Sequence, residues 1–256
     1  MALAPLRAEP NHRSEQVSQL LFGETYDWTE AGKDWIRVKC HLDGYTGFLS
    51  LHQHTPLTPD QFNNLLAQPS HTAYRLISRL EDLESGVVFP VLRGSTLYAS
   101  DGAVFKAGCR SFLLHEETLA HRPASTLDRL LDFAFTYLNA PYQWGGRSPF
   151  GIDCSGFIQV VFKSEGVTLP RDARDQAVVG APVPCVAEAR PGDLAFLGPQ
   201  GEAFITHVAL VYDEEGGVIH ASGQVRVGRL DDTGLFDPLL ARYTHFLKKI
   251  QRPVAW

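Results

Sequence analysis

The chain has 256 residues, of which 44% are hydrophobic and 20% are charged, and its formal net charge is −6. This composition is typical of a soluble globular protein and excludes a long disordered or low-complexity chain. A negative net charge without a run of Lys or Arg excludes the basic surface by which proteins bind a nucleic acid backbone. We therefore expect no nucleic acid partner.

The N-terminus and the cysteines indicate the compartment. The first residues lack a basic segment, and their apolar stretch is interrupted by Pro5 before Arg7, so no signal peptide is predicted. No later stretch approaches the roughly 18 apolar residues of a membrane-spanning helix. The four cysteines are spread singly, which favours free thiols in a reducing compartment. We expect a cytoplasmic protein that does not bind membranes.

The N-terminal part shows strand patterns and turns. Ile36, Val38 and Cys40 alternate with polar residues, as on a half-buried strand, and Gly44 lies in the turn to the next predicted strand. A second β-rich stretch follows, in which Pro90 requires an edge position or a strand end because proline has no backbone N–H. These patterns predict two small all-β domains. Their expected ranges are residues 1–60 and 61–121.

The pattern becomes helical from Thr126. Leu, Ala and Phe recur there at helical spacing, and Pro141 ends the predicted helix. A second apolar helix is predicted to begin at Cys154. The predicted strands that follow are residues 193–197, 207–212 and 218–220. Helices followed by antiparallel strands predict an α+β domain over residues 122–256.

Cys154 is the first candidate for chemistry, because it lies at the predicted start of a helix. Unpaired backbone N–H groups and the positive end of the helix dipole favour a thiolate there, so we expect a lowered thiol pKa. The same N–H groups can donate to the oxyanion that forms when a thiolate attacks an amide carbonyl. A single cysteine near a helix start is also explained as a small buried hydrophobic residue.

Two histidines are candidate partners of this thiol. If residues 213–216 form a four-residue hairpin loop, His220 lies opposite Ala209, and His207 and His220 share one face of the sheet. A shift of one residue would place them on opposite faces. In the first register, His220 can orient the imidazole of His207 while His207 takes the proton of Cys154. A zinc site made of these three residues is an alternative, as is an ordinary structural role for each histidine.

Six short motifs follow one another in the C-terminal half. They are Pro141-Tyr142-Gln143-Trp144-Gly145-Gly146, Asp153-Cys154-Ser155-Gly156-Phe157, Leu169-Pro170-Arg171-Asp172, Arg190-Pro191-Gly192-Asp193-Leu194, Thr206-His207-Val208-Ala209 and Ile219-His220-Ala221-Ser222. This series resembles the ordered motifs of the NlpC/p60 family, which are papain-like cysteine peptidases of bacterial cell-wall peptides. The resemblance covers about residues 122–250. It implies a multidomain protein, with an α+β papain-like peptidase domain preceded by two small all-β SH3-like barrels.

The resemblance also implies roles for individual residues. Cys154 is the implied nucleophile, His207 the general base and then acid, and His220 the third, orienting member, with no metal or organic cofactor. The implied substrate-binding residues of this domain are Asp153, Ser155, Tyr142, Trp144, Arg171 and Asp172. The first two resemble positions that bind the amino end of the substrate, the next two resemble pocket walls, and the last two resemble a pair that lines the cleft. A helix cap, core packing and a surface ion pair are the respective structural alternatives.

The N-terminal segment resembles the SH3-like barrels that precede this domain in γ-D-glutamyl-L-diamino acid peptidases. In that subgroup the barrel closes one end of the cleft, so that only peptides with a free N-terminal L-Ala fit. Glu24 and Tyr45 resemble the barrel positions that do this. A solvated loop carboxylate and a packed barrel residue are the alternatives. Phe48 departs from the Trp that many such barrels carry.

The function implied is hydrolysis of murein-derived peptides, L-Ala-γ-D-Glu-diamino acid, at the bond between D-Glu and the diamino acid. The diamino acid is meso-diaminopimelate or Lys, the product is L-Ala-D-Glu, and the expected context is cell-wall peptide recycling. No obligate protein partner is expected. The alternatives are a papain-like amidase or acyltransferase that acts on another substrate, and a non-catalytic protein that binds wall peptides.

Overall fold

The structure is a computed structural model that describes residues 1–101, 104–115 and 126–256, without the side chains of residues 99–101. The chain divides into two compact units, residues 1–122 with 145–149 and residues 123–144 with 150–256. In the described ranges, no helix is long and apolar enough to cross a bilayer.

The first unit begins with an antiparallel sheet. Its strands are β1 (Leu3–Arg7), β2 (Gln16–Leu21), β3 (Tyr26–Glu30), β4 (Trp35–Cys40) and β5 (Thr46–Ser50), in the spatial order β2-β1-β5-β4-β3. Ile36, Val38 and Cys40 of β4 point into a buried apolar cluster. Gly44 has φ 73° in the turn to β5, a conformation that residues with a Cβ rarely adopt. The predicted hairpin is confirmed.

A second sheet follows within the same unit. After a 3-10 turn (Leu51–Gln53) come α1 (Pro59–Leu66), β6 (Ser70–Thr72), β7 (Ile77–Asp82), β8 (Val88–Leu92), β9 (Thr96–Asp101), β10 (Val104–Ala107) and β11 (Arg110–Leu114). Their order is β6-β9-β10-β11-β7-β8, so the prediction that Pro90 needs an edge position is confirmed on β8. The predicted boundary at residue 60 falls within α1, and the one at residue 121 lies outside the described residues. Both boundaries stay predictions.

The second unit combines helices with an antiparallel sheet. In chain order the remaining elements are α2 (Thr126–Phe135), β12 (Arg147–Ser148, within the first unit), β13 (Gly151–Ile152), α3 (Cys154–Lys163), α4 (Ala173–Gln176), β14 (Ala181–Val183), a 3-10 turn (Val186–Glu188), β15 (Leu194–Gly198), β16 (His207–Val211), β17 (Gly217–Ser222), β18 (Gln224–Arg229), β19 (Gly234–Asp237) and β20 (Arg242–Arg252). The sheet order is β14-β20-β15-β16-β17-β18, and β19 pairs with the long strand β20. The predicted order of helices first and antiparallel strands after is confirmed.

The register between β16 and β17 positions the candidate site. Leu210 lies opposite Ile219 in this antiparallel pair, which sets His220 at the level of Ala209. Residues 213–216 form the connecting loop, as predicted. Because successive side chains on a strand alternate between the two faces, this register places both histidines on one face.

Candidate active site

Cys154 is the first residue of α3, as predicted, and it is only 6% exposed. Its Sγ lies 4.0 Å from the carbonyl oxygen of Thr206. Burial, followed by the negative charge of Asp153, raises the pKa of the thiol to about 12, although backbone N–H groups of Val208 and Ser155 act to lower it. The expectation of a lowered thiol pKa is therefore wrong. The free-energy cost of removing water from the buried thiolate is larger than the stabilisation that the helix terminus gives it.

This raised pKa predicts an unusual alkylation profile. Only the thiolate reacts with iodoacetamide, so the alkylation rate of Cys154 should rise about tenfold per pH unit from about pH 6 to about pH 9 without reaching a plateau. Asp153→Asn removes the nearby negative charge and should lower this pKa. Peptide mass spectrometry measures the rate, with the exposed Cys109 as an internal reference. A plateau near pH 7 would contradict the prediction.

His207 and His220 are in direct contact. The Nε2 of His207 lies 2.8 Å from the Nδ1 of His220, so one of the two nitrogens carries the shared hydrogen. Burial and the neighbouring His220 hold the pKa of His207 well below its ordinary value, and burial and Arg226 lower that of His220 to about 3. Both rings are therefore neutral at neutral pH. A protonated thiol and a neutral imidazole pair form the resting state, in which His207 is ready to accept a proton.

The apolar surroundings of the two histidines explain these shifts. Both lie almost fully buried, at 4% and 3% exposure. On the same face of β16 and β17, Ala209, Val211 and Val218 belong to a buried apolar cluster. A charged imidazole beside this cluster loses its hydration. The Asp237 carboxylate raises the pKa of His220, but by less than burial lowers it, so the neutral form is favoured.

Asp153, Ser155 and Arg171 form a buried network. Arg171 donates from Nη2 to Asp153 Oδ2 at 2.5 Å, and from Nη1 to Asp153 Oδ1 and Ser155 Oγ, both at 3.0 Å. Asp153 Oδ1 also accepts the backbone N–H of Gly156 at 2.7 Å and so caps α3. The cap alternative for Asp153 is thus observed. The ion pair of Arg171 is buried, with side-chain exposures of 2% and 7%, rather than on the surface.

Tyr142, Trp144 and Asp172 are less buried. Burial and the nearby Cys154 raise the pKa of Tyr142, so its hydroxyl stays protonated and can donate a hydrogen bond. Trp144 is 61% exposed, which excludes core packing as its role. The side chain of Asp172 is 32% exposed and lies 3.4 Å from Arg174, and burial raises its pKa. All three keep surface that a ligand can contact.

In the first unit, Glu24 forms a buried ion pair. Arg147 donates from Nη1 and Nη2 to its carboxylate at 2.7 and 2.9 Å, and the two side chains are 3% and 4% exposed. A solvated loop carboxylate is therefore the wrong description of Glu24. Tyr45 is half-buried, and its backbone N–H donates to Asp43 at 2.9 Å. The binding roles of Glu24 and Tyr45 stay predictions.

Two residues near these groups were missed in the sequence. Arg147 follows the Gly145-Gly146 step of a recognised motif, but nothing in the sequence links it to Glu24. His245 lies on β20, and its ring stacks on that of His207 with 4.1 Å between centroids. The sequence feature that could indicate this role is the position of His245 two residues before the apolar Leu247. On a strand, this spacing places both side chains on the same face.

Metal-ligand geometry is not found at this site. Within the described ranges, no group of three or more His, Cys, Asp or Glu side chains is arranged to hold a metal ion. The zinc alternative for Cys154, His207 and His220 therefore has no geometric support in this part of the chain.

Comparisons with known proteins agree with this architecture. Residues 139–242 match the NlpC/P60 family, and residues 6–53 match the bacterial dipeptidyl-peptidase SH3 domain. The chain is 31% identical over 215 residues to the gamma-D-glutamyl-L-lysine dipeptidyl-peptidase of Bacillus subtilis strain 168, covering 80% of this chain and 71% of that one. It is 29% identical over 256 residues to dipeptidyl-peptidase 6 of Lysinibacillus sphaericus, covering 90% of each.

A solved structure shows the same fold. The crystal structure of an NlpC/P60 family protein from Bacillus cereus ATCC 10987 aligns with a TM-score of 0.81 at 22% identity, covering 99% of this chain and 98% of that one. A cysteine at a helix start, packed beside two paired strands that carry one histidine each, defines a papain-like cysteine hydrolase. Within that class, the chain belongs to the NlpC/P60 family of cysteine peptidases and carries an N-terminal bacterial SH3 domain. The predicted papain-like domain with a preceding SH3 domain is confirmed, and the second SH3-like barrel stays a prediction.

Proposed function

We propose that this peptidase hydrolyses peptides derived from bacterial peptidoglycan, at the bond between the γ-carboxyl of D-Glu and the amine of Lys or meso-diaminopimelate. The observation that carries the reaction is the contact between the neutral rings of His207 on β16 and His220 on β17, with the Cys154 thiol beside the start of β16. The substrate class follows from the relative named gamma-D-glutamyl-L-lysine dipeptidyl-peptidase. Peptides with a free N-terminal L-Ala are the proposed substrates.

The proposed reaction has two steps. In the first, His207 accepts the thiol proton as Sγ of Cys154 bonds to the γ-carbonyl carbon of D-Glu. Backbone N–H groups at the start of α3 stabilise the oxyanion. The C–N bond then breaks, and the imidazolium of His207 protonates the leaving amine of the diamino acid. In the second step, His207 takes a proton from water, which attacks the thioester to release L-Ala-D-Glu and restore the thiol.

His220 has a positioning role in this proposal. Its bond to Nε2 of His207 directs the opposite ring nitrogen, Nδ1, to the proton transfer. The low pKa of His220 supports this role, because a neutral His220 can accept that hydrogen bond whereas an imidazolium has no free lone pair.

Substrate contacts are assigned by exposure and charge. Tyr142 and Trp144 are proposed to form walls of the pocket, with the Tyr142 hydroxyl donating near the reacting carbonyl. Asp153 and Glu24 each form an ion pair with an arginine. A carboxylate in such a pair keeps oxygen lone pairs that the arginine does not use, and these are proposed to accept hydrogen bonds from the L-Ala ammonium. Asp172 keeps solvent contact, which supports a direct contact with a cationic substrate group.

Ser155, Arg171 and Tyr45 complete the proposed binding set. Ser155 Oγ accepts a hydrogen bond from Arg171. The two residues are therefore proposed to stabilise the conformation of the region that binds the substrate amine. Tyr45 stays a predicted peptide-binding residue. We further propose that the protein acts in the cytoplasm on recycled wall peptides, a compartment that its four free thiols favour. Cell fractionation tests that location.

The experiment that tests the function is digestion of L-Ala-γ-D-Glu-L-Lys, free and N-acetylated, followed by mass spectrometry. We expect L-Ala-D-Glu from the free peptide and about 100-fold less from the acetylated one, since the buried amine contacts are lost. Equal cleavage of both peptides would contradict the amine requirement. No cleavage, together with acyl transfer from other amides or esters to added amines, would favour the acyltransferase alternative.

A further inference from the structure

His245 covers one face of the His207 ring. The two imidazoles are nearly parallel, with an interplanar angle of 27° and 4.1 Å between ring centroids. The His220 ring meets His207 differently, since it is almost perpendicular at 84° and is joined through a nitrogen–nitrogen contact of 2.8 Å. His207 thus contacts two histidines, His220 at one ring nitrogen and His245 on one face of the ring.

The sheet explains how His245 reaches this position. β20 runs beside β15, and β15 ends at Gly198, opposite Phe246. On its other edge β20 pairs with β19, which sets His245 opposite Leu235, a member of the buried apolar cluster. Leu247, two residues further along β20, packs against the same cluster. His245 therefore projects from the face of the sheet that also carries the other two histidines.

One hydrogen bond does not fix a ring plane. The bond between His207 and His220 sets the distance and direction of Nε2, but the His207 ring can still pivot about that contact. A ring stacked on one face opposes this pivot, because rotation would separate the two π surfaces or bring their atoms into collision. Fixing the plane also fixes the direction in which Nδ1 of His207 points.

We propose that His245 is a positioning residue that fixes the ring plane of His207, so that its Nδ1 meets the Cys154 thiol and then the leaving amine along one direction. This inference rests on the proposed function, in which His207 moves both protons. His245 itself touches neither the thiol nor the substrate in this proposal. A displacement of reacting groups by about 1 Å can cost about 100-fold in rate. A change in the orientation of the His207 ring should therefore lower the rate of proton transfer.

The surroundings of His245 keep it suited to the role. Its Nδ1 lies 2.9 Å from the hydroxyl oxygen of Thr244. Burial, followed by the charge of Arg226, lowers the pKa of His245, and Arg226 is itself paired with Asp237 at 2.7 Å. A neutral ring can stay stacked when His207 becomes cationic, whereas a second cation at this distance would oppose that protonation.

The test compares two substitutions of similar size. His245→Phe keeps a flat ring, and His245→Leu keeps bulk without one. On L-Ala-γ-D-Glu-L-Lys, His245→Leu should lower kcat about 10- to 100-fold with KM within about twofold, and His245→Phe should recover kcat to within about threefold of wild type. Equal kcat for His245→Leu and wild type would overturn the proposal, as would a His245→Phe variant no better than His245→Leu.

A second readout does not depend on the substrate. In protein labelled with ¹⁵N-histidine, long-range NMR couplings report the tautomer and motion of the His207 ring. We expect one sharp His207 tautomer in wild type and in His245→Phe, and exchange-broadened His207 signals in His245→Leu. Sharp signals in all three would overturn the positioning role. If wild type fails to cleave the peptide, the proposed function fails, while the NMR comparison still decides the role of His245.

Discussion

Cys154→Ala is expected to lower kcat/KM for L-Ala-γ-D-Glu-L-Lys by about 10⁴-fold or more, the loss typical of removing a covalent nucleophile. No other thiol can take its place, because the acyl group must be transferred at the start of α3, where backbone N–H groups stabilise the oxyanion. The measurement is release of L-Ala-D-Glu followed by chromatography and mass spectrometry at several enzyme concentrations.

Two controls separate chemistry from folding. Cys109→Ala changes an exposed cysteine and should leave kcat/KM within about twofold. Cys154→Ser keeps the size of the side chain but replaces the thiol by a far less acidic hydroxyl, so it should be nearly as inactive as Cys154→Ala. Substantial activity in folded Cys154→Ala would mean that another group is the nucleophile, and the proposed reaction would fail.

His207→Ala is expected to lower kcat about 10³- to 10⁴-fold, since general acid–base catalysis commonly contributes up to that amount. Burial keeps His207 neutral at neutral pH, so one ring nitrogen has a free lone pair that can take the thiol proton. The lowered pKa of His207 keeps the ring neutral as the pH falls below 6.5, the ordinary histidine value. Activity should therefore persist below pH 6.5 and be lost only nearer the pKa of the buried ring. A pH series of kcat/KM measures this.

The double variant Cys154→Ala/His207→Ala sharpens the test. The thiol and the imidazole act in the same step, so removal of both should cost little more than removal of Cys154 alone. The exposed His52 is the matched control, and His52→Ala should leave kcat within about twofold. Additive losses in the double variant would show that His207 acts separately from the thiol.

The local parts of the site could be predicted because they depend on short stretches of chain. A four-residue loop sets the register of β16 and β17, and that register alone places His207 and His220 together. The start of α3 at Cys154 could be predicted in the same way, because Asp153 is a good N-cap residue and apolar residues follow the cysteine.

The remaining parts depend on contacts between distant residues. The helix start alone predicts a low pKa for Cys154, and this prediction is wrong because the whole fold, not the helix start, sets how deeply the thiol is buried. The contacts of Arg147 with Glu24 and of His245 with His207 join residues 123 and 38 positions apart. No local periodicity specifies such pairs, so they could not be found from spacing.

The Asp153–Arg171 pair constrains how this enzyme can change over evolutionary time. One carboxylate both begins the helix of the candidate nucleophile and neutralises a buried guanidinium, and loss of either partner from such a pair typically costs about 3–5 kcal/mol. That is a large part of the ~5–15 kcal/mol by which most folded proteins are stable. We therefore expect that replacement of one partner alone is selected against, so that the two positions change together among relatives.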